Sequence, residues 1–153
     1  MSSLPYPAPT VELPRDGGEI LNLTSLRPNK VVLFFYPKDN TPGCTKEAIG
    51  FTEAADAFAA IGVTLVGISK DSVTSHEKFI AKQNLNVILL SDEHGTVCED
   101  FDVWKEKSMY GKTYLGIERS TFLIDGNGHV VREWRKVKVP GHVDDVLAAA
   151  KDL

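Results

Sequence analysis

Residues 30–47 read Lys30-Val31-Val32-Leu33-Phe34-Phe35-Tyr36-Pro37-Lys38-Asp39-Asn40-Thr41-Pro42-Gly43-Cys44-Thr45-Lys46-Glu47, and two different periodicities meet inside that stretch. Its first seven residues are continuous, β-branched and aromatic, which predicts a strand buried on both faces of a sheet. From Pro42 to Ala60 the spacing turns broadly helical: Ile49, Ala54 and Phe58 recur on one side, with Thr45 and Phe51 nearby, until Gly62 ends the run. Thr41 followed by Pro42 forms the expected N-cap and first-turn pair, which sets Cys44 at the third helical position.

Outward from this unit the chain keeps alternating. Val63 to Ser69 is a second buried strand, Ser72 to Gln83 an amphipathic helix with Val73, Phe79 and Ile80 inward, and Val87 to Leu90 a third strand. Asp92 can cap a short helix that lines up Val97, Phe101 and Trp104 at i, i+4 and i+7, with Cys98 beside that stripe. Thr121 to Ile124 and His129 to Trp134 flank Asp125-Gly126-Asn127-Gly128, a hairpin signal, and a final helix covers about Val143 to Lys151. The predicted fold class is α/β, with a central mixed sheet flanked by helices: a parallel first half, an antiparallel hairpin, and a thioredoxin-like layout. At 153 residues, with no repeat and no linker-like cluster, residues 1–153 are expected to form one domain. A layout of this kind names no activity by itself.

Composition narrows the choice. Seventeen basic against 21 acidic residues leave a net charge of −4, so no counterion-release term drives binding to nucleic acid. The longest apolar run, Val31 to Tyr36, falls far short of the roughly 20 residues a membrane helix needs. Pro5, Pro7 and Pro9 stand where a secretory signal would carry a charged start and an apolar stretch, so the expected compartment is the cytoplasm. Two cysteines, Cys44 and Cys98, make no disulfide framework, and no Cys or His sits at zinc-ligand spacing, so neither a metal nor another cofactor is expected.

Cys44 carries the chemistry. At the third position of a helix that follows a strand, its sulfur lies near unpaired backbone N–H groups and the positive end of the helix dipole, both of which favour thiolate over thiol. A small buried cysteine in a first turn would not need Pro37, Thr41 and Pro42 around it.

Pro37, Thr41 and Cys44 match the PxxxTxxC signature, and the string from Tyr36 to Thr45 resembles the bacterioferritin comigratory (PrxQ) branch of the peroxiredoxins. The similarity continues through Gly67-Ile68-Ser69, Leu89 to Asp92, Cys98 to Trp104, Gly111 to Tyr114 and Arg119 to Asp125. The resemblance implies a thiol peroxidase without metal or haem: Cys44 attacks hydrogen peroxide or an alkyl hydroperoxide and becomes a sulfenic acid. Arg119 and Thr41 carry over as the groups that stabilise and orient the reacting oxygens, Pro37 as the residue that shields and shapes the loop, and Glu47 as an anchor for arginine. It further implies a monomer rather than a dimer.

Many members of that branch have a resolving cysteine five residues after the first, where this chain has Ile49, and others have it in the helix here spanning Ser72 to Gln83, which contains none. Cys98 is the internal candidate that remains. The preferred expectation is a one-cysteine cycle in which thioredoxin, glutaredoxin or glutathione reduces the sulfenic acid. A redox sensor or holdase is the competing class, distinguished by the absence of sustained turnover. A thiol–disulfide oxidoreductase lacks its first cysteine, because Thr41 stands in that place. No role is assigned to His76, His94, His129 or His142, and Trp104 and Trp134 read as packing residues. Capping and turn roles account for Asp71, Asp92 and Asp125.

Overall fold

In the computed structural model, which describes residues 3–153, successive side chains of Val31 to Tyr36 enter two separate cores, as a doubly buried strand requires. The elements in chain order are β1 (Tyr6–Pro7), β2 (Glu12–Pro14), β3 (Ile20–Asn22), a 3-10 turn (Leu23–Leu26), β4 (Lys30–Phe35), α1 (Pro42–Glu53) and α2 (Ala55–Ala60). There follow β5 (Val63–Ser69), α3 (Val73–Gln83), β6 (Ile88–Ser91), α4 (Val97–Asp100), β7 (Trp104–Met109) and β8 (Lys112–Ile117). β9 (Ser120–Ile124), β10 (His129–Trp134) and α5 (His142–Lys151) complete the chain.

Six strands form one mixed sheet in the order β1-β10-β9-β4-β5-β6. β4, β5 and β6 run parallel, while β9 lies antiparallel to β4 and β10 antiparallel to β9. On one face Val32, Phe34 and Tyr36 meet Cys44, Ala48 and Phe51 of α1, Phe58 of α2, Phe79 of α3 and Val146 of α5. On the other, Val31, Leu33 and Phe35 meet Val11, Leu13, Cys98, Phe101, Val103 and Ile117. Aromatic pairs tie the first layer together: Phe34 and Phe51 stack with centroids 4.6 Å apart.

Three expectations need correction. The helix predicted from Pro42 to Ala60 is two helices, broken at Ala54, whose backbone (φ −91°, ψ 1°) leaves the helical range. Trp104 is not helical: Asp102, at φ 58°, ends the turn after α4, and Trp104 opens β7. Asp92 does serve α4 from outside it, its two carboxylate oxygens accepting from the N–H groups of Val97 and Cys98. The third is an omission. β7 and β8 form a separate hairpin whose two-residue turn, Tyr110-Gly111, has positive φ at both positions (53° and 77°). Most of its side chains face solvent, so the sequence shows no buried alternation there.

Candidate active site

Cys44 sits where the helix signal sets it, three residues past the N-cap Thr41 and one turn inside α1, and it is 2% exposed. The parallel pairing of β4 with β5 brings the loop Pro37–Asn40 to the carboxyl edge of the sheet. The antiparallel pairing of β4 with β9 sets Ser120 opposite Phe35, and so delivers its neighbour Arg119 to the same edge.

Arg119 Nη2 donates to Cys44 Sγ at 3.3 Å, and its Nη1 donates to Glu47 Oε1 at 2.7 Å. One guanidinium therefore bridges two groups a single turn apart on α1. Val137 N–H, bonded to the Arg119 carbonyl at 3.0 Å, fixes the arginine backbone. A side chain on Gly43 would begin 3.1 Å from Arg119 Nη2, so the absence of a Cβ there leaves room for the bridge. Glu47 is fully buried, and burial pushes its carboxyl up to about 7 although the neighbouring guanidinium pulls the other way. Its Oε2 has no hydrogen-bond partner among the described residues.

Thr41 holds the N-cap backbone position but does not cap with its side chain: its hydroxyl donates instead to the Lys38 carbonyl at 2.8 Å. With its hydrogen so committed, the Thr41 oxygen faces any further partner as an acceptor. Pro37 is exposed at the start of the loop. Lys107, on the β7–β8 hairpin, adds a second cation within electrostatic reach of Cys44. Burial and the Arg119 charge push its ammonium pKa down. Nothing in the local sequence marks Lys107, since only the folded hairpin brings it near.

Cys98 is in the other layer. Cys44 belongs to the helix-covered face of the sheet and Cys98 to the opposite face, among Val97, Phe101 and Val103. Both thiols are free and buried. Burial, with the Asp92 carboxylate beside it, holds the Cys98 thiol far above the usual thiol range. Ile49 is half-buried against the helix-side core. Two histidines to which no role was assigned are buried: His76 beside Asp39, and His142 with Nε2 2.8 Å from Thr121 Oγ1. Asp39, Asp71 and His76 converge, but internal hydrogen bonds already occupy both Asp39 oxygens and both His76 nitrogens. The cluster offers no open cation site.

Residues 5–133 match the AhpC/TSA family. A putative peroxiredoxin bcp of Coxiella burnetii is 53% identical over 140 residues, covering 92% of this chain and 93% of the relative. A peroxiredoxin Bcp of Bacillus subtilis is 49% identical, over 95% of this chain and 93% of the relative. Among solved structures, a bacterioferritin comigratory protein of Xanthomonas campestris, studied for alkyl peroxide reduction, superposes with a TM-score of 0.88 at 48% identity. That match covers 93% of this chain and 90% of the neighbour. A Xylella fastidiosa PrxQ variant superposes at 0.90 and 41% identity, over 99% and 98%.

Proposed function

The chain belongs to the AhpC/TSA family, as a peroxiredoxin of the bacterioferritin comigratory type, and we propose that its peroxide cycle runs on Cys44 alone, because Ile49 stands where many relatives carry a resolving cysteine and the helix Val73–Gln83 holds none. The protein is a thiol-dependent peroxidase. In the proposed cycle the Cys44 thiolate attacks the terminal oxygen of hydrogen peroxide or an alkyl hydroperoxide. The O–O bond breaks with its electron pair on the departing oxygen, which takes up a proton and leaves as water or an alcohol. Cys44 becomes a sulfenic acid. An external thiol (thioredoxin, glutaredoxin or glutathione) condenses with it, releasing water. A second thiol then resolves the mixed disulfide and restores Cys44.

The observation that carries this reading is the Arg119 bridge, 3.3 Å from Cys44 Sγ and 2.7 Å from Glu47. A fixed cation beside the sulfur supports both the thiolate and the negative charge that spreads over the oxygens as the bond breaks. Thr41, whose oxygen is left as an acceptor, takes the peroxide O–H in this scheme, while Pro37 shapes the loop. The burial of Cys98 behind the sheet and its strongly raised thiol pKa support the external reductant over an internal disulfide. The monomer that the family likeness implies belongs to the same proposal. Among the described residues no helix is long and apolar enough to cross a membrane.

Stopped-flow mixing of reduced protein with hydrogen peroxide, followed by intact-mass analysis, tests the scheme. The expected product has gained one oxygen at Cys44, and Cys98→Ser keeps both the rapid phase and turnover with an external thiol. A product that has lost two hydrogens through a Cys44–Cys98 disulfide overturns the one-cysteine cycle.

A further inference from the structure

Asp39, in the middle of the cysteine loop, buries its carboxylate under three donors. Tyr36 Oη donates to Oδ1 at 2.6 Å, Ser75 Oγ donates to Oδ2 at 2.8 Å, and His76 Nδ1 lies 2.8 Å from Oδ2. His76 Nε2 lies 2.9 Å from the Leu90 carbonyl, which can only accept, so that nitrogen carries a hydrogen. With Nδ1 donating to a carboxylate as well, the hydrogen bonds assign His76 as an imidazolium and Asp39 as its counter-ion. The two side chains are 0% and 2% exposed. Asp71 is the other acidic group facing them, its Oδ2 accepting from the Asp39 N–H at 2.9 Å and from Ser69 Oγ at 2.6 Å. Tyr36, whose Oη also lies 3.4 Å from His76 Nδ1, is a further titratable neighbour. β5 supplies Ser69, α3 supplies Ser75 and β6 supplies the Leu90 carbonyl. Burial pulls the His76 pKa down, but Asp39, Leu90 and Asp71 together hold it above the ordinary histidine value.

The pair is joined to the peroxide site through one peptide. Asp39 follows Lys38, whose carbonyl takes the Thr41 hydroxyl, and it precedes Asn40, held in the left-handed region at φ 61°. The Lys38–Asp39 peptide is held from one side by Asp71, which accepts its N–H, and from the other by the anchored Asp39 side chain, and its carbonyl in turn holds the Thr41 hydroxyl. We propose that Asp39 and His76 are positioning residues for peroxide reduction, a buried ion pair that aims Thr41 at the incoming peroxide and loosens its aim when the pair loses its proton. The proposal rests on the reading of Cys44 and Thr41 as the peroxide site.

Two reactions of Cys44 separate positioning from mere folding. Hydrogen peroxide needs Thr41 aimed, whereas iodoacetamide alkylation needs only the thiolate. His76→Gln slows the peroxide reaction roughly ten- to a hundredfold, the usual effect of a small misplacement at a reacting centre, and leaves alkylation unchanged. In a Thr41→Val background His76→Gln has no further effect on the peroxide rate. The wild-type peroxide rate, divided by the alkylation rate, falls at alkaline pH as His76 deprotonates, and His76→Gln lacks that fall. Ser75→Ala, which removes one neutral donor to Asp39, is the gentler variant and costs about fivefold. Equal slowing of both reactions, full additivity with Thr41→Val, or an unchanged peroxide rate in both variants overturns the positioning role. A wild-type chain that alkylates at Cys44 but shows no rapid peroxide phase overturns the peroxide-site reading beneath it.

Discussion

Arg119 shows how much a single side chain's geometry decides. Its two terminal nitrogens reach different groups, Cys44 Sγ and Glu47 Oε1, so the planar fork is held at both tines. A lysine ammonium is a point charge and cannot span both positions. Arg119→Lys is therefore expected to lower the rate constant for hydrogen peroxide by roughly a hundredfold, within the range found for deleting one preorganised donor. Glu47→Gln keeps an oxygen for Nη1 and should cost much less than Glu47→Ala, which frees the guanidinium. Stopped-flow rates for the three variants check the order, and an Arg119→Lys enzyme as fast as wild type would show that charge alone suffices. Cys44 and Thr41 were legible in the sequence because strand, N-cap and proline are contiguous. Glu47 entered only with the family pattern, and the sequence said nothing of its burial.

Among the elements, the β7–β8 hairpin escaped the sequence because its signal is weak at both levels. Its turn is Tyr-Gly where Asn-Gly is the strong marker, and its strands carry Lys105, Glu106, Lys107, Lys112 and Thr113 on a largely solvated ribbon. Tyr110 pays for its left-handed φ of 53° while lying 97% exposed, so replacing it forfeits little packing. Tyr110→Asn should raise stability by up to about 1 kcal/mol, read as a higher urea midpoint with an unchanged slope. The long predicted helix erred for a related reason. Apolar spacing survives the break at Ala54, since Phe51 and Phe58 still pack against each other with centroids 6.0 Å apart across α1 and α2. Periodicity records which residues face the core and is blind to a one-residue interruption of the backbone.

Across the whole molecule, two buried histidines pull the pH dependence of stability in opposite directions. His142, at the start of α5 between Thr121, Phe51 and Trp134, has its pKa pushed down to about 4, first by burial. Between pH 6.5 and 4 the unfolded chain binds a proton that the native chain refuses, so stability falls as the pH falls, by about 3 kcal/mol in all. His76, raised by Asp39, contributes stability that is complete below pH 6.5 and is lost as the pH rises through its native value. Glu47, pushed up to about 7 by burial, keeps a proton that the unfolded chain releases, so its contribution falls as the pH rises and offsets that of His142 between about pH 4.5 and 6.5; the slope of urea-unfolding stability against pH in that window should therefore turn more negative in His142→Gln than in the wild-type chain, and an unaltered slope would refute the assignment. The sequence by itself determined the strand–loop–helix unit that presents Cys44, the alternation that makes an α/β sheet and the likeness to peroxiredoxins, because each is written in neighbours or in short periods. Tertiary structure alone decided that Arg119 reaches Cys44 from 75 residues away, that Cys98 lies behind the sheet, and that His76 closes on Asp39. Those outcomes depend on strand register and on which face of the sheet a helix covers, and neither is encoded in any local run of residues.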